Sequence, residues 1–557
     1  MRDFAALRKH LNQRRETLRN IEQKHEPNWH ELRAFVNPFR GRFSDEKPDD
    51  YKPNFSKILD GTPLTSLRML SAGMQSGLTS PSRQWFKLTM HDVELGQRQD
   101  IQEWCDEVQN RMMVVMAGSG FYKALHTLYE EVAIFGTGCC IILPDYDNVI
   151  SCQTLTAGTY YLGRASHDTI DSFYRDMWMS AGEMVAEFGE QNCSEAVRAA
   201  LKNNSDQLFK ICHAIEPDSM HVSRHEYMSV YWELHGETDK VLRVGGFDSF
   251  PVMAPRWTAI DADVYGYGPA SEALPDIKTL MKMKADFLQG LNKQVNPPVV
   301  ASRQVLMGGV KTMPGGITYV DGQVGPMVSP LYAVNMPLQE VANSIEQYKN
   351  DVRRALYVDL FMMLTEQNQG QMTAREVAER HEEKMLALGP VLESLEWELL
   401  IPAIDRIFDI MNDAGLLPEP PEEIAGQEVK IEFVSILAQA QKMMGLSAVE
   451  QSVGFAGQIA QVDPSVLDVV DTEKVLRRYV DMVGAPADIL RPEEEVAGIR
   501  EQRAAQEQQK AEVEQAQQMA ATANQAASGA RNLAETPMSN GGSALDMLLG
   551  GIVGEGE

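Results

Sequence analysis

The stretch from Pro269 to Gly415 constrains this chain most, because it alternates long helical periods with proline-rich interruptions. After the Gly266-Tyr267-Gly268-Pro269 turn a helix is expected from about Ser271 to Val295. Asn296-Pro297-Pro298 ends it, since proline excludes helix from the residue before it. A second helix is expected from about Leu338 to Met363, with Val341, Ile345, Tyr348, Val352, Leu356 and Leu360 marking its buried face at steps of three and four. Between the two, Pro297–Pro337 is rich in Gly and Pro and carries β-prone runs at Pro298-Val299-Val300 and Ile317-Thr318-Tyr319-Val320. It reads as a small strand-and-loop module held on two helical legs. A third helix starts on the capping-box pattern Thr373-Ala374-Arg375-Glu376, bends at Gly389-Pro390 and Pro402, and stops at Gly415 ahead of Pro418. Polar Thr365–Gln371 makes an exposed loop between the second and third helices.

Length and charge set outer bounds. A chain of 557 residues exceeds a single core, so roughly two to four domains are expected. Its 44% hydrophobic content indicates globular material, and its net charge of −28 argues against gripping nucleic acid over a broad surface, which needs clustered Lys and Arg. Acidity suits solubility, and equally a wall that DNA passes without sticking. Six cysteines without a CxxC pair read as buried thiols in a reducing compartment. The first residues lack the apolar core of a signal peptide, and the longest apolar run, about Val132 to Leu143, is too short to span a bilayer; a soluble cytosolic chain is expected.

Ahead of the helical legs, Phe4, Leu7, Leu11, Leu18 and Ile21 define a first amphipathic helix and Trp29, Leu32, Phe35 and Val36 a second. The basic excess there is read as a solvated face rather than a membrane or nucleic-acid surface. Asp60–Leu78 and Gln99–Ile134 continue the helical period. Gly138–Trp257 changes to strand-like runs, interrupted by a helix at Ser180–Phe188, and implies an α+β domain with a mostly antiparallel sheet. Short helices follow Gly415. Residues 492–534, dominated by Ala, Gln and Glu, favour helix but cannot bury enough to fold alone; the helix frays or packs against copies of itself. The final stretch is expected to be disordered.

The chemistry of common enzymes is missing. There is no Gly-x-x-x-x-Gly-Lys-[Ser/Thr] phosphate cradle, and Gly118-Ser119-Gly120 and Gly136-Thr137-Gly138 read as turns. His221 and His225 have helix-face spacing for a metal but no third ligand nearby. Cys139-Cys140 reads as core, and Glu382-Glu383 as a solvated face. No cofactor, metal or catalytic group is expected.

Taken together, Trp29–Pro38, Thr79-Ser80-Pro81-Ser82-Arg83-Gln84-Trp85-Phe86, Tyr265-Gly266-Tyr267-Gly268-Pro269-Ala270, Asn296-Pro297-Pro298, Met372-Thr373-Ala374-Arg375-Glu376-Val377 and Leu416-Leu417-Pro418 resemble a family. It is the portal, or head-to-tail connector, proteins of short-tailed double-stranded DNA bacteriophages. The resemblance covers roughly residues 25–420 and rests on the order and spacing of these pieces. It implies an α+β ring subunit, usually one of about twelve around a closed ring at one capsid vertex. By this resemblance residues 1–270 are the wing, 271–295 and 338–363 the stem, 296–337 the clip, and 364–371 the tunnel loop. Residues 372–414 are then the kinked helix from wing to crown, 415–491 the crown, and 492–557 a helical barrel and tail, the barrel resting on composition.

The implied partners are other copies of the chain, double-stranded DNA held weakly in the channel, the terminase large subunit, tail adaptors, and the major capsid and scaffolding proteins. No membrane is implied; the location is the virion, after assembly in the host cytoplasm. Lys278, Lys282 and Lys293 share one stripe of the first stem helix and can touch DNA phosphates in a ring; the alternative is a solvated face or pairing with acids of the next subunit. In the clip, Arg303, Lys311, Tyr319 and Asp321 are expected to meet docking partners. In the tunnel loop, Thr365, Glu366, Gln367, Asn368, Gln369 and Gln371 carry no lysine or arginine grip, leaving transient polar contacts. Two other readings stay open: a tail or adaptor component docking through the same excursion, and a soluble enzyme with a site in 138–257.

Overall fold

The first amphipathic stripe is packed along its length, with Leu7, Leu11 and Leu18 buried and Phe4 and Ile21 partly buried beside them. The computed structural model describes residues 4–43, 47, 51–96, 98–165, 168–237, 240–295, 299–301, 328–330, 337–365, 389–424, 429–434, 453–456, 458–459, 474–476 and 493–535. The chain forms two units, Met1–Gly445 and Leu446–Glu557.

Helices α1 (Phe4–Glu22), α2 (Glu26–Phe35) and α3 (Thr62–Leu78) are followed by β1 (Phe86–Met90), the short α4 (Val93–Gly96), α5 (Gln99–Gly118) and α6 (Phe121–Phe135). The helical period over Gln99–Ile134 is thus two helices, broken where Gly120 takes a left-handed φ of 76°. A three-stranded antiparallel sheet orders β3 (Val149–Leu155), β2 (Cys139–Asp145) and β9 (Val252–Met253). A five-stranded antiparallel sheet runs β4 (Tyr160–Arg164), β5 (Ile170–Ser180), β6 (Leu208–Pro217), β7 (Tyr227–Glu233) and β8 (Arg243–Phe247). This is the expected antiparallel α+β region, divided between two sheets.

Strand alternation gives the five-stranded sheet two different faces. Leu7, Leu11 and Leu18 of α1 pack with Tyr161, Tyr174, Ala214, Val230 and Trp232 on one face. On the other, Ile211 and Tyr231 meet Met184, Phe188 and Val197 of α7 (Ala181–Phe188) and α8 (Glu195–Asn203). Ser180 and Glu183 form a reciprocal capping box at the start of α7.

Helix α9 (Pro269–Val295) leads to β10 (Val299–Ala301), which pairs antiparallel with β11 (Val328–Pro330) ahead of α10 (Leu338–Ala355) and α11 (Val358–Thr365). The second leg is therefore not one helix to Met363: Tyr357 adopts φ 55° and breaks it. Ile345, Val352, Leu356 and Leu360 of the expected apolar face are nonetheless buried. The helix that resumes by residue 389 passes through a π turn at Glu396–Leu400 into α12 (Ile401–Asp413). The physical cause is Pro402, which has no amide to offer the carbonyl four residues back; Ile401 instead donates to the Glu396 carbonyl. Gly415, at φ 67°, ends α12, and Leu416 N–H bonds the Met411 carbonyl at 3.0 Å.

Beyond Gly415 the described residues include short helical pieces, at 422–424, 453–456 and 474–476, but Val429–Phe433 is an unexpected strand, β12, paired antiparallel with β1. A partner more than three hundred residues away leaves no local signature. In the second unit, α13 (Glu493–Glu535) is one 43-residue helix, as composition predicts, and every side chain from 516 to 529 is exposed. No described helix is long and apolar enough to cross a membrane.

Candidate functional site

The two helical legs rest on a glycine contact. Gly136, at φ 79°, lies so close to Gly266 that a Cβ there would sit 2.3 Å from the Gly266 carbonyl oxygen, and one on Gly268 would sit 2.7 Å from the Val132 and Ala133 carbonyls. Gly266 N–H donates to Thr137 Oγ1 at 2.7 Å, and Trp257 N–H to the Gly136 carbonyl at 2.8 Å. The Gly-x-Gly pieces at 136–138 and 266–268 are thus turns in mutual backbone contact, and they seat the start of α9 on the core. The other motifs do similar work. Trp85 Nε1 donates to Tyr122 OH at 3.1 Å, Thr79 Oγ1 lies 3.0 Å from Tyr129 OH, and buried Trp29 packs edge-on to Tyr265 and Phe135.

Asp60 ties both legs to α3. Its carboxylate accepts from Thr62 N–H at 2.9 Å and Thr62 Oγ1 at 2.6 Å, and stands 3.7 Å from Lys284 of α9 and 3.5 Å from Lys349 of α10. Burial alone would raise its pKa, but these hydrogen bonds and lysines hold it below the usual carboxylate range. Against this frame the lysine stripe separates. Lys278 pairs with Glu31 of α2 and lies 5.9 Å from the Phe35 ring centre. Lys282 reaches Asp286 one turn on at 3.1 Å, with its side chain 75% exposed. Lys293, in the last turn of α9, is exposed.

Thr365 is the last residue of α11 rather than the opening of a loop. Glu366, Gln367, Asn368, Gln369 and Gln371 lie outside the described residues, as do Arg303, Lys311, Tyr319, Asp321 and the capping box at Thr373–Glu376.

Sequence reasoning missed an ion-pair network that holds the π turn. Arg256, 3% exposed, donates from Nε to Glu398 Oε1 at 3.0 Å and from Nη1 to Asp168 Oδ1 at 3.2 Å, while its main-chain N–H donates to Glu398 Oε2 at 2.8 Å. Burial lowers the Arg256 pKa, but Glu398 and Asp168 outweigh it and raise the value above the usual one. The available signal was Pro402, which marks a helix irregularity at Glu398.

Glu382 and Glu383 lie outside the described residues. His221 and His225 share no helix: His221 sits in a turn at φ 53°, and His225 Nδ1 contacts Asp248 at 2.8 Å. Among the described residues no His, Cys, Asp and Glu group is placed to hold a metal. Cys139 and Cys140 are buried in β2, and burial pushes the Cys140 thiol up to about 12, far from a ready nucleophile.

Helical legs are thus tied to a two-sheet body by glycine contacts, an aspartate clamp and a buried ion-pair network. The chain belongs to the bacteriophage head to tail connecting protein family, whose model matches residues 8–490. It is 37% identical over 536 residues, 94% of each chain, to a protein of Salmonella phage epsilon15 named portal protein. It is 36% identical over 507 residues, 90% of this chain and 91% of the relative, to a probable portal protein of Bordetella phage BPP-1. A solved virion of a native gene transfer agent particle contains a chain matched over 71% of this one at TM-score 0.32 and 9% identity, a likeness that carries no argument.

Proposed function

We propose that this chain is a portal subunit: a non-enzymatic ring protein at one capsid vertex through which double-stranded DNA enters during packaging and leaves at ejection. The observation that carries this reading is the 37% identity across 94% of both chains to a protein named portal protein. Residues 1–270 form the wing, α9 with α10 and α11 the stem, 296–337 the clip facing the terminase motor and later the tail adaptors, and 366–371 a tunnel loop. Residues 372–414 are the helix from wing to crown, 415–491 the crown, and α13 one stave of a barrel.

Two features of the single chain support assembly. The second half of α9 leaves Leu288, Leu291 and Val295 47%, 37% and 69% exposed, apolar surface that a neighbouring subunit covers. Helix α13 exposes every side chain from 516 to 529, as a stave lacking its neighbours does. Lys293, exposed in the last turn of α9, is placed to meet a DNA phosphate directly, whereas Lys278 and Lys282 meet one only by leaving Glu31 and Asp286. With so acidic a chain, those contacts are weak, and weak contacts allow sliding.

Light scattering on the purified full chain, followed by negative-stain imaging of the same peak, tests the reading. A particle of roughly twelve subunits with a central hole is expected, because head-to-tail interfaces that close generate rings. A monomer or dimer that persists across protein concentration and salt overturns it.

A further inference from the structure

A cleft of about 390 Å³ lies between the two sheets, and no residue of the helical legs lines it. Its walls include the consecutive residues Gln153–Thr156 and Arg175–Met177. Alternation would place only every second residue on a sheet face, so consecutive lining residues mean that two strand edges face each other. The topology agrees: β3 is the edge of its sheet, and the pairing of β4 with β5 ends at Tyr160 and Arg175. Such edges present main-chain N–H groups outside any ladder.

Arg175 lines this cleft and is 7% exposed. Its one hydrogen bond is from Nη1 to Gln153 Oε1 at 3.3 Å, and Nε has no partner. No carboxylate among the described residues pairs with it. The neighbouring acids are committed elsewhere: Glu130 holds Arg40 at 2.6 and 3.0 Å, buried Glu131 accepts from Thr156 Oγ1 at 2.8 Å and Ala157 N–H at 3.2 Å and stands 3.8 Å from Arg40, and Asp176 turns to the opposite face to meet Arg15 and, at 3.2 Å, Lys210. Its cross-strand neighbour His213 is buried and kept neutral, well below its usual pKa, by that burial and by Arg175 itself. A buried guanidinium without a counter-charge costs several kcal/mol, so a fold that keeps one implies an anion. Arg42, stacked 3.3 Å from the Tyr51 ring centre, supplies a second guanidinium at the same cleft.

The geometry points to an oxyanion site between the β3 and β5 edges that takes a phosphoryl group, with Arg175 as its buried ligand and Arg42 and the Gln153 amide as further donors. Guanidinium groups donate and never accept, which suits an acceptor-only ligand, and the planar guanidinium fork matches phosphate oxygens in pairs. The cleft fits a free phosphate or the phosphate of a short flexible strand. A rigid duplex cannot bring its backbone to a side chain this buried.

Isothermal titration of the full chain with inorganic phosphate, against chloride at equal ionic strength, tests the site. Saturable binding is expected, weakened about tenfold or more in Arg175→Gln, and weakened also in Arg42→Gln, a loop variant that guards against misfolding of the first. Arg224→Gln, at an exposed position remote from the cleft, should bind as the parent does. A short oligothymidylate lacking terminal phosphates separates the two sources: if Arg175→Gln weakens it too, the natural ligand is a nucleic-acid phosphodiester, and if only phosphate binding suffers, it is a free phosphate. Absence of phosphate binding by the parent chain, or equal affinity in parent and Arg175→Gln, overturns the proposal.

Discussion

At the scale of single residues, buried charge decides the most informative behaviour. Glu22, at the end of α1, is 1% exposed, its Oε1 has no hydrogen-bond partner, and burial, followed by the nearby Glu26, pushes its carboxyl up to about 8. A folded-state pKa raised above the unfolded value contributes stability that is complete below about pH 4.5 and is lost as pH rises toward 8. Glu22→Gln, which mimics the protonated acid, should therefore match the parent in acid and exceed it by a margin on the order of a few kcal/mol above pH 8. Urea unfolding at pH 5, 7 and 9, at one protein concentration, measures this; a margin that does not grow with pH defeats it. Glu22 lies on the predicted first helix, yet its burial was invisible in the sequence, because its neighbours include Tyr160, Tyr161 and Tyr265, far along the chain. The glycines were legible as turns, but their contact across the fold was not.

At the scale of elements, the π turn before Pro402 is the feature with the clearest consequence. Pro402 announces a bend; the direction of the bend, and the delivery of Glu398 to Arg256, required the segment after β9 that brings Arg256 close by, bridged at that residue to Thr137. Glu398→Gln leaves Arg256, 3% exposed, short of its main counter-charge, and breaking a buried pair on one side costs about 3 to 5 kcal/mol. Because Glu398 is itself 26% exposed, the lower end of that range is expected. A fall in thermal midpoint, with faster amide exchange along α12, is the outcome to look for; unchanged exchange would show that the pair does not hold the helix. The break at Tyr357 was not legible, since the Leu338–Met363 period is good helix throughout. Trp257, 5.9 Å from the Tyr357 ring, and Phe361, packed where a Cβ on Gly73 would stand, belong to the tertiary packing that accompanies it.

At the scale of the molecule, assembly is what a single chain leaves unfinished. Helix α13 extends about 65 Å at the usual rise per residue, and its described residues from 516 to 529 bury nothing. Deleting residues 493–557 should leave the ring closed but shorten it along its axis, as negative-stain side views would reveal. Loss of the ring altogether would assign subunit contact mainly to this helix and displace the stem from that role.

The amino-acid sequence by itself determined the helices with strong periods, their stops at proline and glycine, the antiparallel α+β region, the long Ala- and Gln-rich helix and the family. These follow from local propensity, periodicity and motif order, which nearby residues fully specify. Only the tertiary structure decided that β1 pairs with β12, that Lys278 answers Glu31, that Arg256 grips Glu398, and that Arg175 stands buried between two strand edges. Each joins residues distant in the chain, and such contacts arise from packing, burial and charge compensation rather than from any local pattern.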